Sequence, residues 1–278
     1  PLTTPDNCRG GHASIKSGGG KLSMTKDHSY TQKLVDLATP YWETEAELTR
    51  RFFSSKPSKE IWISYLKAAV YKELNPVIGY GSTDGYSCGL HMEFASLVDR
   101  FNSVDDGMDR RSFHHRLEQM IEEFMHFTVL AEVFEDLLGR PLRRGDAKQL
   151  PQDDKLNKLR NIYVNSPNPA VRAVMELTEG GGTATFREGA KLTGGDFETK
   201  LAAAFKVIAD DEDGHVDHAA SDLKEKVKSN DDFESAKNAL LEVSMQRLHM
   251  RNEMFSHIMS SEELNSYLTF CGGQTVEV

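Results

Sequence analysis

Apolar residues recur at intervals of three and four along most of this chain, which is the spacing of one face of a helix. The alternating pattern of a half-buried strand is nearly absent. Gly139, with Pro141 just beyond it, is predicted to end one long helix, and Pro40 is a candidate break in the first. The pattern predicts an all-α chain with helices over about residues 28–54, 57–74, 90–101, 109–138, 155–164, 169–192, 197–228, 231–260 and 262–270.

Composition and charge argue against several classes of protein. Residues 1–26 are polar and rich in Gly, Ser and Lys, which predicts a flexible leader, and residues 27–278 are predicted to form one helical domain. The net charge of −10 argues against a nucleic-acid partner, and no apolar run is long enough to predict a membrane span. The three cysteines lie far apart without a Cys-x-x-Cys motif, which argues against zinc or iron–sulfur sites of the usual spacing. So few cysteines fit a reducing compartment, and we expect a cytoplasmic location.

The pattern Glu-x-x-His occurs twice, at Glu123–His126 and at Glu212–His215, each time inside a predicted helix. Residues three apart share a helical face, so each pair can bind one side of a metal ion. Both pairs lie on the apolar stripe of their helix, where an ionised carboxylate is costly unless it is paired or binds a metal. The two motifs are therefore predicted to point into the protein.

Two other glutamates, Glu93 and Glu179, also lie on apolar stripes of predicted helices. The interval from Glu93 to Glu123 resembles that from Glu179 to Glu212, as in two halves of a repeated unit. A single Glu-x-x-His is common in glutamate-rich helices, so the prediction depends on four interior carboxylates and two histidines in this order. The predicted ligands of one dinuclear metal site are Glu93, Glu123, His126, Glu179, Glu212 and His215.

The neighbours of these residues extend both motifs. The fuller motifs are Glu122-Glu123-Phe-Met-His126 and Asp211-Glu212-Asp-Gly-His215. They resemble the Glu-Glu-x-x-His and Asp-Glu-x-x-His boxes of ferritin-like dinuclear-iron carboxylate enzymes such as acyl-carrier-protein desaturases and bacterial multicomponent monooxygenases. The resemblance covers about residues 85–225, and it implies a ferritin-like four-helix bundle with a dinuclear metal site and additional flanking helices.

The same resemblance implies roles for the preceding acids. Asp211 would accept a hydrogen bond from His126, and Glu122 would serve His215 in the same way. The chain departs from these relatives at Gly214, where their second box usually has arginine before the histidine. We therefore expect the surface that contacts the substrate or the redox partner to differ from that of these relatives.

Several further residues are candidates beside the metals. Thr183 and Thr185 are candidate proton-delivering hydroxyls, and Glu176 is a candidate carboxylate that shifts onto a metal. His218 is a candidate for either an extra ligand or a supporting or surface residue. The glycines at 180–182 indicate either open space and a widened helical turn beside the metals, or a helix break with close helix packing.

The resemblance implies a non-haem di-iron oxidoreductase that uses dioxygen to hydroxylate, desaturate or N-oxygenate a small or carrier-bound metabolite. Two iron ions are the expected cofactor, with manganese or a mixed manganese–iron pair as other options. Electrons would come from an external ferredoxin or reductase, and a homodimer is a possible assembly. A ferroxidase or iron-storage protein and a manganese catalase are the alternatives.

Overall fold

The computed structural model describes residues 29–75, 89–143, 145–212 and 215–278, with backbone alone at residues 215–218. The predicted leader lies outside these ranges. The described residues form helices and no strand, as the apolar periodicity predicts. The helices are α1 Tyr30–Ser54, α2 Lys59–Leu74, α3 Leu90–Phe101, α4 Arg110–Leu138, α5 Pro151–Val164, α6 Pro169–Leu177, α7 Gly180–Gly189, α8 Asp196–Glu212, α9 His215–Lys226, α10 Asn230–Met254 and α11 Ser261–Phe270.

Local capping explains the limits of α4, which carries the first Glu-x-x-His motif. The Asp109 side chain accepts hydrogen bonds from the backbone N–H groups of Arg111 and Ser112 at 3.1 and 3.2 Å. Gly139 ends the helix with φ of 68°, in the left-handed region that favours glycine. Both ends agree with the prediction.

Two predicted helices differ at one end: α5 begins at Pro151 rather than near Lys155, and α10 ends at Met254 rather than near residue 260. Two others differ in continuity, namely the first helix of the chain and the helix predicted over 169–192. The first is continuous, with Pro40 inside α1. The helix predicted over 169–192 is interrupted at Thr178 and Glu179, which separate α6 from α7. The helix predicted over 197–228 is described as α8, ending at Glu212, and α9, beginning at His215, with residues 213 and 214 outside the description.

The core lies around α10, which packs against α1, α2, α5 and α6. Stacked aromatic rings join α1, α2 and the end of α10. The centroid of the Phe255 ring lies 4.6 Å from that of Phe52 and 5.6 Å from that of Tyr65. Beside this core, α2 packs on α4, α4 on α8, and α7 on both α1 and α8. These contacts bring α2, α4, α8 and the α6–α7 junction around one region. None of the described helices combines the length and apolar character needed to cross a membrane.

Candidate metal centre

Three possible ligands from two helices meet in the region between α2 and α4. One ligand atom each from Glu73, Glu123 and His126 lies within 4.8 Å of the others. Nδ1 of His126 is 3.9 Å from a carboxylate oxygen of Glu73 and 3.8 Å from one of Glu123. The structure therefore brings the predicted Glu123–His126 pair together with a glutamate, Glu73, that the sequence analysis did not include.

The other ring nitrogen of His126 faces Asp211. Nε2 lies 3.3 Å from Oδ2 of Asp211 on α8, although the pair lacks the alignment of a hydrogen bond. The imidazole is buried, with Nδ1 turned toward the two glutamates. This is the arrangement in which an acid can orient a ligand histidine from behind, and it joins the two residues that the resemblance pairs.

Glu73 and Glu123 are electrostatically crowded. Burial is the largest effect on Glu73 and raises its pKa to about 7. Lys72 and Arg251 oppose this rise, and repulsion from Glu212 and Glu179 adds to it. Burial and the charges of Glu73, Glu212 and Glu179 raise the pKa of Glu123 well above its usual range. The predicted carboxylates Glu179 and Glu212 therefore lie close enough to Glu73 and Glu123 to act on their titration.

Glu179 has a different environment because two buried arginines hold it. Arg247 donates from Nη1 to Oε2 of Glu179 at 2.8 Å, and Nη2 of Arg160 pairs with Oε1. Burial opposes ionisation of Glu179, but the charges of Arg160 and Arg247 outweigh it and lower the pKa to about 2. Even so, 37% of the Glu179 side chain is accessible, so the carboxylate is not fully enclosed by packing.

A buried carboxylate on α1, that of Glu45, supports this arrangement. Glu45 accepts hydrogen bonds from Nε of Arg247 and Nε of Arg251, both at 3.2 Å. It packs directly on α7, where a Cβ built on Gly181 would lie 1.9 Å from Oε1 of Glu45. A Cβ on Gly180 would lie 2.4 Å from the Trp42 ring. The glycines thus allow close packing of α7 on α1, which is one of the two interpretations that the sequence left open.

Glu93 lies apart from the group formed by Glu73, Glu123 and His126. It is buried on α3, but its nearest basic group is Arg116, with 3.8 Å from Nη1 to the carboxylate. Arg116 precedes Glu123 by about two turns of α4, or about 10 Å along the axis. Among the described residues, the group of close ligand atoms contains Glu73 and not Glu93. Apolar periodicity correctly predicted that Glu93 is buried. The structure places it against the first half of α4.

The remaining candidates have varied positions. Thr183 and Thr185 are buried, and their hydroxyls have no hydrogen-bond partner among the described residues. Glu122 and Glu176 are exposed, and Glu212 is half-buried. The side chains of His215 and His218, and the whole of Gly214, lie outside the description.

A sequence signal for Glu73 exists. It lies three, four and seven residues after Val70, Ala69 and Leu66, all of which are buried. However, α2 is apolar on much of its circumference, so no single stripe is distinct, and Glu73 is in its last turn. A charged residue there equally fits a side chain that extends to water.

Comparison with known proteins finds no match to this chain among family models, curated proteins or solved structures.

Proposed function

We propose that this chain is a non-haem di-iron oxidoreductase that uses dioxygen to modify a small or carrier-bound metabolite. The observation that carries the proposal is the meeting of Glu73, Glu123 and His126 within 4.8 Å. The proposed ligand set keeps the two Glu-x-x-His motifs and Glu179, and it takes Glu73 in place of Glu93. The proposed ligands are Glu73, Glu123, His126, Glu179, Glu212 and His215.

The chemistry of the site fits metal cations. Burial and repulsion from neighbouring carboxylates oppose ionisation of Glu73 and Glu123, and a divalent cation between them would offset both penalties. Carboxylate oxygens with a few imidazole nitrogens suit iron and manganese, and nothing in this group offers the thiolates that favour softer metals. When bound, two ferrous ions would supply the electrons that activate dioxygen.

The chain's own residues would then position and protect the reaction. Asp211 would fix the orientation of the His126 ring, since it already faces Nε2. Thr183 and Thr185 offer buried hydroxyls near Glu179 in sequence for proton transfer. Electrons for further turnovers would come from an external ferredoxin or reductase.

Anaerobic titration with ferrous iron, followed by measurement of dioxygen consumption with a reductant, tests the proposal. We expect about two irons per chain, and reduced binding in Glu73→Gln but not in Glu93→Gln, which changes a buried acid outside the group. Absence of specific binding would contradict the proposal. Assembly into a large cage with a mineral core would favour iron storage, and rapid dismutation of hydrogen peroxide by the manganese form would favour a catalase.

A further inference from the structure

Arg160 on α5 uses only one of two neighbouring hydrogen-bond donors in its contact with Glu179. Nε and Nη2 of a guanidinium lie on the same edge, and together they can donate two parallel hydrogen bonds to one carboxylate. In Arg160, Nη2 pairs with Oε1 of Glu179, while the buried Nε has no hydrogen-bond partner among the described residues. The residue is only 8% exposed, so water does not compensate this donor well.

The other neighbouring acids that the structure describes do not accept a hydrogen bond from the Nε of Arg160. Asp153, the other acid that acts electrostatically on Arg160, is held by Lys72 at 2.8 Å and by Asn157 at 3.5 Å. Glu45 is bonded to Arg247 and Arg251. Glu179 is therefore the one described carboxylate that contacts Arg160.

Three buried arginines outnumber the carboxylates that they contact. The guanidinium groups of Arg160, Arg247 and Arg251 share two carboxylates, those of Glu45 and Glu179. If Glu179 turns to a metal ion, Arg247 still has Glu45, but Arg160 loses its only carboxylate contact. A buried guanidinium without a counter-charge is strongly unfavourable.

We infer that Arg160 binds the carboxylate group of a small organic acid when Glu179 binds the metals. The substrate of the proposed oxidase is then a carboxylic acid. The inference rests on the proposed metal centre. The incoming carboxylate would accept from both Nε and Nη2 of Arg160 and replace the charge that Glu179 provides. Metal and carboxylate binding would then reinforce each other, since each removes a cost that the other creates.

Calorimetric titration of the manganese-loaded and metal-free protein with acetate and benzoate tests this coupling, after the metal content of each sample is measured. We expect both acids to bind the loaded protein at least about tenfold more tightly than the metal-free protein. Arg160→Gln should reduce the affinity of the loaded form about tenfold, the usual scale for a lost charge-assisted hydrogen bond. Arg172→Gln, an exposed arginine on the neighbouring α6, is the matched control and should leave it unchanged.

The outcomes separate this inference from the proposed function. Normal metal content with carboxylate affinity unchanged in Arg160→Gln would place the acid on the metals alone and overturn the inference, with the metal centre intact. Tighter binding of inorganic phosphate than of either acid would overturn the carboxylate class. Failure of the wild-type protein to bind metal would overturn the proposed function and the inference with it. If Arg160→Gln does not fold, Arg160→Lys keeps the charge without the two-donor edge, and an unchanged affinity there would contradict the inference.

Discussion

A carboxylate oxygen of Glu73 on α2 lies within 4.8 Å of one of Glu123 on α4, and only 14% and 21% of these two side chains are exposed. Two carboxylates this close repel each other when both are ionised. The two glutamates lie on different helices, and no motif in the sequence pairs them. Their contact supplies the third close ligand of the proposed metal centre.

Glu73→Gln should stabilise the metal-free protein at pH 8. The folded-state pKa of about 7 lies above the ordinary 4.5, so the folded protein binds this proton more tightly, and the penalty of ionisation grows as pH rises between these values. Removing the charge should raise the free energy of unfolding by about 1–3 kcal/mol at pH 8 and change it little at pH 4. Urea unfolding at both pH values measures this.

The same variant should behave in the opposite way with metal. Added manganese should raise the melting temperature of the wild-type protein and raise that of Glu73→Gln much less, because a ligand is lost. Equal stabilisation of both proteins by manganese would argue against Glu73 as a ligand.

Asp211→Asn should weaken metal binding about 10- to 100-fold, which is the usual effect of removing the group that orients a ligand histidine. The basis is the 3.3 Å approach of Oδ2 of Asp211 to Nε2 of His126. Asp210→Asn is the matched control, because Asp210 is exposed and pairs with Lys206. Competition with a metal-binding dye gives both affinities, and equal values for the two variants would contradict the role of Asp211.

Gly181→Ala should destabilise the protein although alanine favours helices. The new Cβ would lie 1.9 Å from Oε1 of Glu45, which Arg247 and Arg251 hold in place. Overpacking of this kind costs about 1–3 kcal/mol, more than the gain in helix propensity. Gly195→Ala, whose Cβ meets its nearest neighbour at 3.4 Å, should change the free energy of unfolding little in the same urea titration.

Glu45→Gln should cost about 3 kcal/mol or more in unfolding free energy, because it leaves the buried guanidinium groups of Arg247 and Arg251 without their shared charge. Glu47→Gln is a suitable comparison on the same helix. Glu47 pairs with Arg50 and Arg51 near the surface, where such pairs contribute less than about 1 kcal/mol. Similar losses of unfolding free energy in both variants would show that the buried network contributes no more stability than the surface pairs.

Sequence periodicity predicted the helices well where local signals mark their ends, as at Asp109 and Gly139. It left the interruption at Glu179 as one of two interpretations, because the choice depends on how α7 packs against Glu45 and Trp42. It did not distinguish Glu73 from Glu93. Both acids are on apolar helices, and the spacing along one helix shows that a side chain is buried without showing which helix it meets.

The buried arginines illustrate the same limit. Arg160 and Arg247 lie on helices that the pattern predicted, yet their charge suggests a solvated face when the helix is considered alone. Their role emerges only when α5, α6 and α10 pack together and Glu179 is placed between them. Such long-range pairings are not encoded in the local spacing of one chain segment.

The most direct test of the metal centre is an anomalous difference map from crystals of the iron- or manganese-loaded protein. The account predicts one metal peak bound by Glu73, Glu123 and His126, and a second nearby that is bound by Glu179, Glu212 and His215. A loaded crystal with no peak between α2 and α4, or with its peak beside Glu93, would contradict the account.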